Sequence, residues 1–272
     1  GVCSDSRRVE PGDLFPALPG GRENGLSFVR EAAARGACAA LGTPTTGLEI
    51  PFLVPLDGGE VARAAGEAAH TLAGRPSDSL MVLAVTGTNG KTTVVHLIHQ
   101  ALEQASIPAA RCGTLGRCFS GKTQAQELTT PPSDVLHSWL AEVHSGEGKV
   151  VALEASSHAL AQDRLAGTSV DAAGWTNLTQ DHLDYHPDLE GYARAKARLI
   201  HSLPAGAPAF LPEGQESILG PCRGARAELV PWSLEGSAPL CGRAEFHPEG
   251  LLLAVEGTWG AGEIRSPLVG RH

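Results

Sequence analysis

The residues with the sharpest chemical potential lie in one run, Val85-Thr86-Gly87-Thr88-Asn89-Gly90-Lys91-Thr92-Thr93. An apolar stretch, Leu80 to Val85, leads into it, and a helical pattern from Thr92 to Gln104 follows. Strand, glycine turn and helix in that order aim backbone N–H groups and the positive end of a helix dipole at one point, where an anion fits. Lys91 adds a point charge suited to β- and γ-phosphates, and the Thr92 hydroxyl can ligate Mg²⁺. The strict pattern G-x-x-x-x-G-K-[ST] is not met, because Val85 stands where its first glycine should be. A glycine turn that only starts a helix is the competing reading, and the Lys-Thr-Thr triplet after a buried strand argues against it.

A second candidate is Glu154, which follows the apolar run Lys149 to Leu153. Ligands of doubly wound sheets sit at the carboxyl ends of strands, so an acid there could hold Mg²⁺ against a nucleotide. A helix-capping or surface acid is the plainer alternative. Thr176 to His186 is dense in oxygen and nitrogen donors. His182 and His186 are four residues apart, a zinc-compatible spacing on a helix. No third ligand is obvious, and Pro187 keeps His186 out of helical geometry. Lys196 sits in Tyr192-Ala193-Arg194-Ala195-Lys196-Ala197-Arg198 and by pattern alone is a solvated helix lysine.

These residues need a scaffold, and 272 residues suffice for about two domains. The composition is 42% apolar but only 4% aromatic, so the core rests on Ala, Val and Leu. Residues 13–72 read as a small α/β unit: strands at Asp13–Leu18, Ala37–Leu41 and Ile50–Val54, helices at Leu26–Arg35 and Gly59–Leu72. Gly74 to Ser77 reads as a linker. Beyond it, the runs Leu80–Val85, Lys149–Leu153 and Val170–Trp175 alternate with helices at Thr92–Gln104, Ser133–His144 (with Ser133 as cap) and Asp188–Leu203. That alternation predicts a doubly wound, mostly parallel α/β sheet. The pattern changes beyond Ala207, with a hairpin at Ala244–Glu256 and a strand at Glu263–Val269.

The net charge of −9 argues against a broad grip on nucleic acid or an anionic membrane. The six cysteines form no C-x-x-C pair, as expected of free thiols in a reducing cytosol. No apolar run reaches membrane-spanning length and no signal sequence opens the chain. Starting at Gly1 without Met, the N-terminus is expected to be trimmed.

Taken together, several segments resemble the Mur ligase family of peptidoglycan synthesis. They are Asp5-Ser6-Arg7 with Pro11–Phe15, Thr86–Thr93, Thr129-Thr130-Pro131, Glu154–Leu160, Gln162-Asp163-Arg164, Thr176–His186, Tyr192–Leu199 and Trp259–Glu263. The closest likeness is to members that add a third, diamino acid to UDP-N-acetylmuramoyl-L-alanyl-D-glutamate. The resemblance implies a UDP-precursor-binding domain over 1–75 and a central ATP-binding domain over 76–272. The family's third, Rossmann-like C-terminal domain is absent from this chain, which is therefore expected to be a fragment that is not itself competent. Thr86, Gly87, Thr88, Asn89, Gly90, Lys91, Thr92 and Thr93 would bind ATP. Thr92, Glu154, His182 and a carbamylated Lys196 would hold Mg²⁺, with Lys91, Glu154, His182 and Lys196 catalytic. Ser4, Ser6, Gly21, Arg22, Glu23, Thr129, Thr130, Ser156, Gln162 and Arg164 would bind the UDP precursor. The implied protein is a cytoplasmic monomer without nucleic-acid or membrane partners. Other Mur-type or folylpolyglutamate-type ligases, and a non-catalytic fragment binding only the UDP precursor, are the alternatives. A GTPase is disfavoured because no guanine-reading Asn/Thr-Lys-x-Asp run is present.

Overall fold

The computed structural model describes residues 1–19, 24–48, 50–56, 60–181, 185–234 and 238–268. The described strands form two separate sheets. The first contains β1 (Leu14–Pro16), β2 (Ala39–Leu41) and β3 (Phe52–Leu53), all parallel. Helix α1 (Val29–Ala34) connects β1 to β2. Phe15, Val29, Ala32, Ala40 and Ile50 fill one core. Leu14, Ala39 and Leu41 gather with Ala65 of helix α2 (Val61–Leu72) in another.

The second sheet has eleven strands. In its interior lies β4 (Met81–Thr86), flanked by β8 (Val150–Glu154) and β9 (Ala172–Trp175) in parallel. β5 (Ala109–Gly113) pairs with β8, and β6 (Gly116–Phe119) and β7 (Lys122–Gln124) add an antiparallel edge. On the other side come β10 (Pro208–Pro212) and β11 (Glu228–Ser233), parallel, then β12 (Leu240–His247), β13 (Gly250–Gly257) and β14 (Gly260–Ser266). The chain runs outward one way from β4 through α3 (Lys91–Gln104) to β5. It returns through α4 (Ser133–Ser145), α5 (Ser157–Ala161), α6 (Leu189–Ser202) and α7 (Glu216–Cys222) in the other direction. Right-handed crossovers then put α3 on one face and α4 to α7 on the opposite one. The cores agree: Val82, Ala84, Val151 and Leu153 join the α4 and α6 side chains, whereas Val85 and Ala152 join Val95 of α3.

Three expectations change. Ser133 is the first residue of α4, Pro132 holds the cap position, and no side chain caps the helix. The Gly74–Ser77 stretch is a packed junction: Pro76 to Asp78 form a 3-10 turn, Pro76 and Ser77 are buried, and the Ser77 hydroxyl lies 2.8 Å from His70 Nε2. The parallel pattern also does not break at Ala207. It runs on through β10, α7 and β11, and antiparallel pairing starts at β12.

Candidate active site

Strand β4 is where the connection direction reverses, so the crevice beyond its carboxyl end is the natural ligand site of this sheet. Thr86 ends the strand, fully buried, and Gly87 to Gly90 form the turn into α3. Gly87 has φ +139, and a Cβ built on it would overlap Thr176 Oγ1, so the turn requires glycine there. Gly90 (φ +82) is the N-cap of α3 and contributes no capping side chain, which leaves first-turn N–H groups for a ligand. The segment after β9 pins the turn. Thr88 N donates to Asn177 O (3.0 Å), Asn89 N donates to Asn177 Oδ1 (3.0 Å), and Thr176 Oγ1 donates to Asn89 O (2.6 Å). Sequence reasoning gave Asn177 no role. Its place after a buried strand was the available signal.

Lys91 Nζ donates to Gly87 O (3.0 Å) and Thr88 O (2.9 Å). Burial lowers its pKa, opposed by Glu154 and Asp181. Glu154, 1% exposed at the end of β8, is paired in register with Val85. Its Oε2 accepts from Thr92 Oγ1 (2.9 Å) and Thr114 Oγ1 (3.2 Å), and its Oε1 from Thr114 N (2.9 Å). Thr114 went unrecognised because it sits in the β5–β6 turn, in strands that carry little apolar periodicity. Gly113 makes room, since a Cβ there would overlap the Glu154 carboxylate.

The Thr92 hydroxyl beside the Glu154 carboxylate is a hard-oxygen donor pair. It fits Mg²⁺, which takes one or two protein ligands and completes its shell with phosphate and water. Among the described residues no group of three or more His, Cys, Asp or Glu forms a metal cage. His182 lies outside the described residues.

Lys196 is not a solvated helix lysine. It is 1% exposed, donates to Gly87 O (2.7 Å), and lies 4.3 Å from the centroid of the Tyr192 ring. Burial, reinforced by Lys91 and opposed by Asp181, pushes its pKa down to about 7. α6 delivers it because its inward face carries Tyr192, Ala193, Lys196, Ala197 and Ile200, all buried at helical spacing.

Further along the crevice, Thr130 Oγ1 donates to Glu154 O (2.7 Å) and accepts from Ser156 N (3.1 Å). The Thr129 and Thr114 hydroxyls lie 3.1 Å apart. Arg164 donates to Gln162 Oε1 (2.6 and 3.1 Å) and to Thr130 O (2.8 Å), and Gln162 Nε2 donates to Tyr185 OH (3.2 Å). The structure therefore joins Thr129, Thr130, Ser156, Gln162 and Arg164 in one connected rim.

Ser4 and Ser6 line a second cavity, of about 530 Å³, lined also by Asp5, Arg7, Phe15, Phe28 and Glu31. Ser6 Oγ donates to Glu31 Oε2 (2.7 Å). Ser4 donates through both N (2.9 Å) and Oγ (3.0 Å) to Asp134 of α4, so its hydroxyl has acceptor capacity left for a ligand. Gly21, Arg22 and Glu23 lie outside the described residues.

A family model described as the Mur ligase middle domain matches residues 85–272. The chain belongs to the Mur ligase family. This Mur ligase chain is 43% identical over 202 residues to the UDP-N-acetylmuramoyl-L-alanyl-D-glutamate–2,6-diaminopimelate ligase of Xylella fastidiosa (strain Temecula1), covering 74% of this chain and 41% of that protein. Against the enzyme of the same name from Synechococcus elongatus it is 36% identical over 286 residues, covering 100% and 56%. A solved structure of a ligase with this name superposes with a TM-score of 0.85 at 30% identity, covering 100% of this chain and 56% of that one. The chain thus spans about half the length of the relatives it matches.

Proposed function

We propose that this chain is the substrate- and nucleotide-binding part of an ATP-dependent amide ligase of peptidoglycan synthesis, which adds a diamino acid to UDP-N-acetylmuramoyl-L-alanyl-D-glutamate. The observation that carries the reading is the Lys91–Thr92–Glu154 constellation at the end of β4 and β8, joined through Thr114 and Thr130 to the Arg164 rim. A nucleotide-binding group and an anion-binding group share one crevice, as attack of a carboxylate on a triphosphate requires. The names of the relatives supply the substrate and favour diaminopimelate as the diamino acid. Residues 1–75 would bind the uridine end in the Ser4–Glu31 cavity, and residues 76–272 the ATP.

In this reading the first-turn N–H groups of α3 and the Lys91 amine hold the phosphates. Arg164 meets a carboxylate of the precursor through two parallel hydrogen bonds once Gln162 gives way. The precursor carboxylate attacks the γ-phosphorus, the bond to ADP breaks, and an acyl phosphate forms. The amine of the incoming amino acid then attacks the acyl carbon, phosphate leaves, and the amine loses a proton. Mg²⁺, held by Thr92 and Glu154 with His182, would neutralise charge between two anionic reactants. Lys196 is proposed to be carbamylated there: its neutral amine adds CO₂ and sheds a proton, which turns a metal-repelling cation into an anion facing Lys91. None of the six cysteines is bridged to another, which accords with a cytosolic setting.

The test is phosphate release by the whole protein, given ATP and Mg²⁺ with the UDP-linked dipeptide and diaminopimelate, or with folate and glutamate. Release that requires the dipeptide supports the reading. Release only with folate and glutamate replaces it with a folylpolyglutamate-type ligase, and release with neither removes it.

A further inference from the structure

The Ser4–Glu31 cavity has a hydrogen-bond polarity that its carboxylates impose. Ser4 and Ser6 both line it, and a serine hydroxyl can donate one bond and accept two. Each of these hydroxyls stands against an acid. Ser4 Oγ lies 3.0 Å from both Asp134 Oδ1 and Oδ2, and Ser4 N donates to Oδ2 at 2.9 Å. Ser6 Oγ lies 2.7 Å from Glu31 Oε2. An ionised carboxylate only accepts, so in both pairs the serine gives up its single proton. Each serine oxygen is left with lone pairs alone.

Ser4 is the stiffer of the two. Its N–H and its O–H both end on Asp134, which stands in the first turn of α4, where the helix dipole favours a negative charge. Ser6 has one such bond, to a Glu31 side chain that is 44% exposed. Arg7, also in the lining, is committed to Asp5 through two hydrogen bonds. A wall of serine lone pairs backed by carboxylates repels a diphosphate and accepts a ligand's N–H. Uracil joined to ribose has one N–H donor on its ring, the imide, between two carbonyls. Cytosine has a lone pair on that same ring nitrogen.

We propose that Asp134 is a positioning residue that sets which base the cavity reads. By holding the Ser4 proton it makes Ser4 Oγ an obligate acceptor, which suits the imide N–H of uracil and opposes the ring nitrogen of cytosine. Two lone pairs facing each other in a cavity cost more than a missing bond, so the discrimination exceeds the gain from one hydrogen bond. An asparagine at 134 keeps the bond from Ser4 N through its carbonyl oxygen. It turns an amide N–H toward the Ser4 hydroxyl, whose proton is then free to point at the ligand.

This inference rests on the uridine reading of the cavity, and the experiment separates the two. Affinities for UDP, CDP and ADP are measured by calorimetry on the whole protein for wild type, Asp134→Asn and Ser4→Ala. Wild type should favour UDP over CDP by about thirtyfold. Asp134→Asn should weaken UDP, tighten CDP, and narrow that ratio by about tenfold or more. Ser4→Ala keeps the main-chain bond to Asp134 but lacks the discriminating oxygen, and should narrow the ratio as well. A merely structural role for Asp134 would weaken UDP and CDP alike and leave their ratio in place. Equal wild-type affinity for UDP and CDP, or a wild-type ratio in folded Asp134→Asn or in Ser4→Ala, overturns the proposal. If Asp134→Asn does not fold, Ser4→Ala decides alone. Wild-type protein that binds ADP but neither UDP nor CDP would instead overturn the uridine reading itself.

Discussion

The two clefts of this chain are built on different principles. The phosphate crevice grows from strands buried on both faces. Every group that matters there is fixed by backbone or by a buried neighbour: Lys91 on two turn carbonyls, Glu154 on Thr92 and Thr114, Lys196 on Gly87 O and Tyr192. The Ser4–Glu31 cavity lies beside a sheet whose strands are two or three residues long, and much of its lining comes from turns. Its ion pair, Arg7 with Asp5, faces solvent, with the arginine side chain 77% exposed. In the proposed function the first site would present preorganised charge to a phosphate, and the second would grip its ligand by several weaker contacts from turn residues such as Ser4 and Ser6. Changes in the crevice should therefore be severe and specific to catalysis, and changes in the cavity mild and specific to one ligand.

The largest effect is expected from Lys91→Ala. It removes the only charge the turn itself carries, and we expect turnover to fall by at least about three orders of magnitude. Binding of UDP to the N-terminal cavity should not change. Wild-type kcat in this variant, from phosphate release, would remove the phosphate-turn assignment.

Next comes Gly113→Ala, which inserts a methyl group where the Glu154 carboxylate lies. Overpacking there should cost about 1–3 kcal/mol of stability. Displacement of Glu154 should lower kcat by roughly two orders of magnitude, since ångström-scale misplacement costs that much, and raise the Mg²⁺ needed for half-maximal rate. A magnesium titration matching wild type would show that Glu154 does not serve the metal.

The same contrast explains what was legible in the sequence. Buried parallel strands announce themselves as apolar runs, so β4, β8 and β9 were placed to within about two residues, and the phosphate turn with them. Strands β5 to β7 escaped because Arg111, Arg117 and Lys122 interrupt their apolar character, and Thr114 escaped with them. β10 and β11 escaped because Pro208, Pro212 and Pro231 argue against interior strands. The burial of Lys196 had no local signal. It follows from where α6 packs, a long-range fact that only the family likeness anticipated.

The third prediction concerns the junction between the two regions. His137 of α4 is fully buried, with Nε2 2.9 Å from Ala166 O and its ring 5.0 Å from that of His70 on α2. Burial pushes its pKa down to about 4, opposed by the Ala166 carbonyl and reinforced by His70. His70 is also lowered by burial and faces Asp78, Arg75 and Ser77. The unfolded chain binds the proton first, so stability present above the unfolded pKa is lost as pH falls from about 6.5 toward the folded value. For His137 the loss between pH 7 and pH 5 should be about 2 kcal/mol. Urea unfolding at the two pH values measures it, and His137→Gln should flatten the slope. An equal slope in that variant would place the acid sensitivity elsewhere.

The smallest expected effect is Ser6→Ala, which tests the mild half of the comparison. Ser6 is 7% exposed, and its hydroxyl donates to Glu31 Oε2 at 2.7 Å across the cavity. A hydrogen bond to a carboxylate contributes about 1.5–3 kcal/mol when sealed from water. Glu31, with its side chain 44% exposed and also within 3.9 Å of Arg35, recovers part of that loss from solvent. Folding stability should therefore fall by no more than about 1 kcal/mol. The ligand-facing consequence is the loss of one polar contact of a wall that stays in place, so UDP affinity should weaken about three- to tenfold, or roughly 0.7–1.4 kcal/mol. ADP affinity should remain at the wild-type value, because Ser6 takes no part in the Lys91–Glu154 network. Calorimetry with each nucleotide separately reads both numbers. If Ser6→Ala weakens ADP as much as UDP, the two clefts are not independent, and the contrast between them fails.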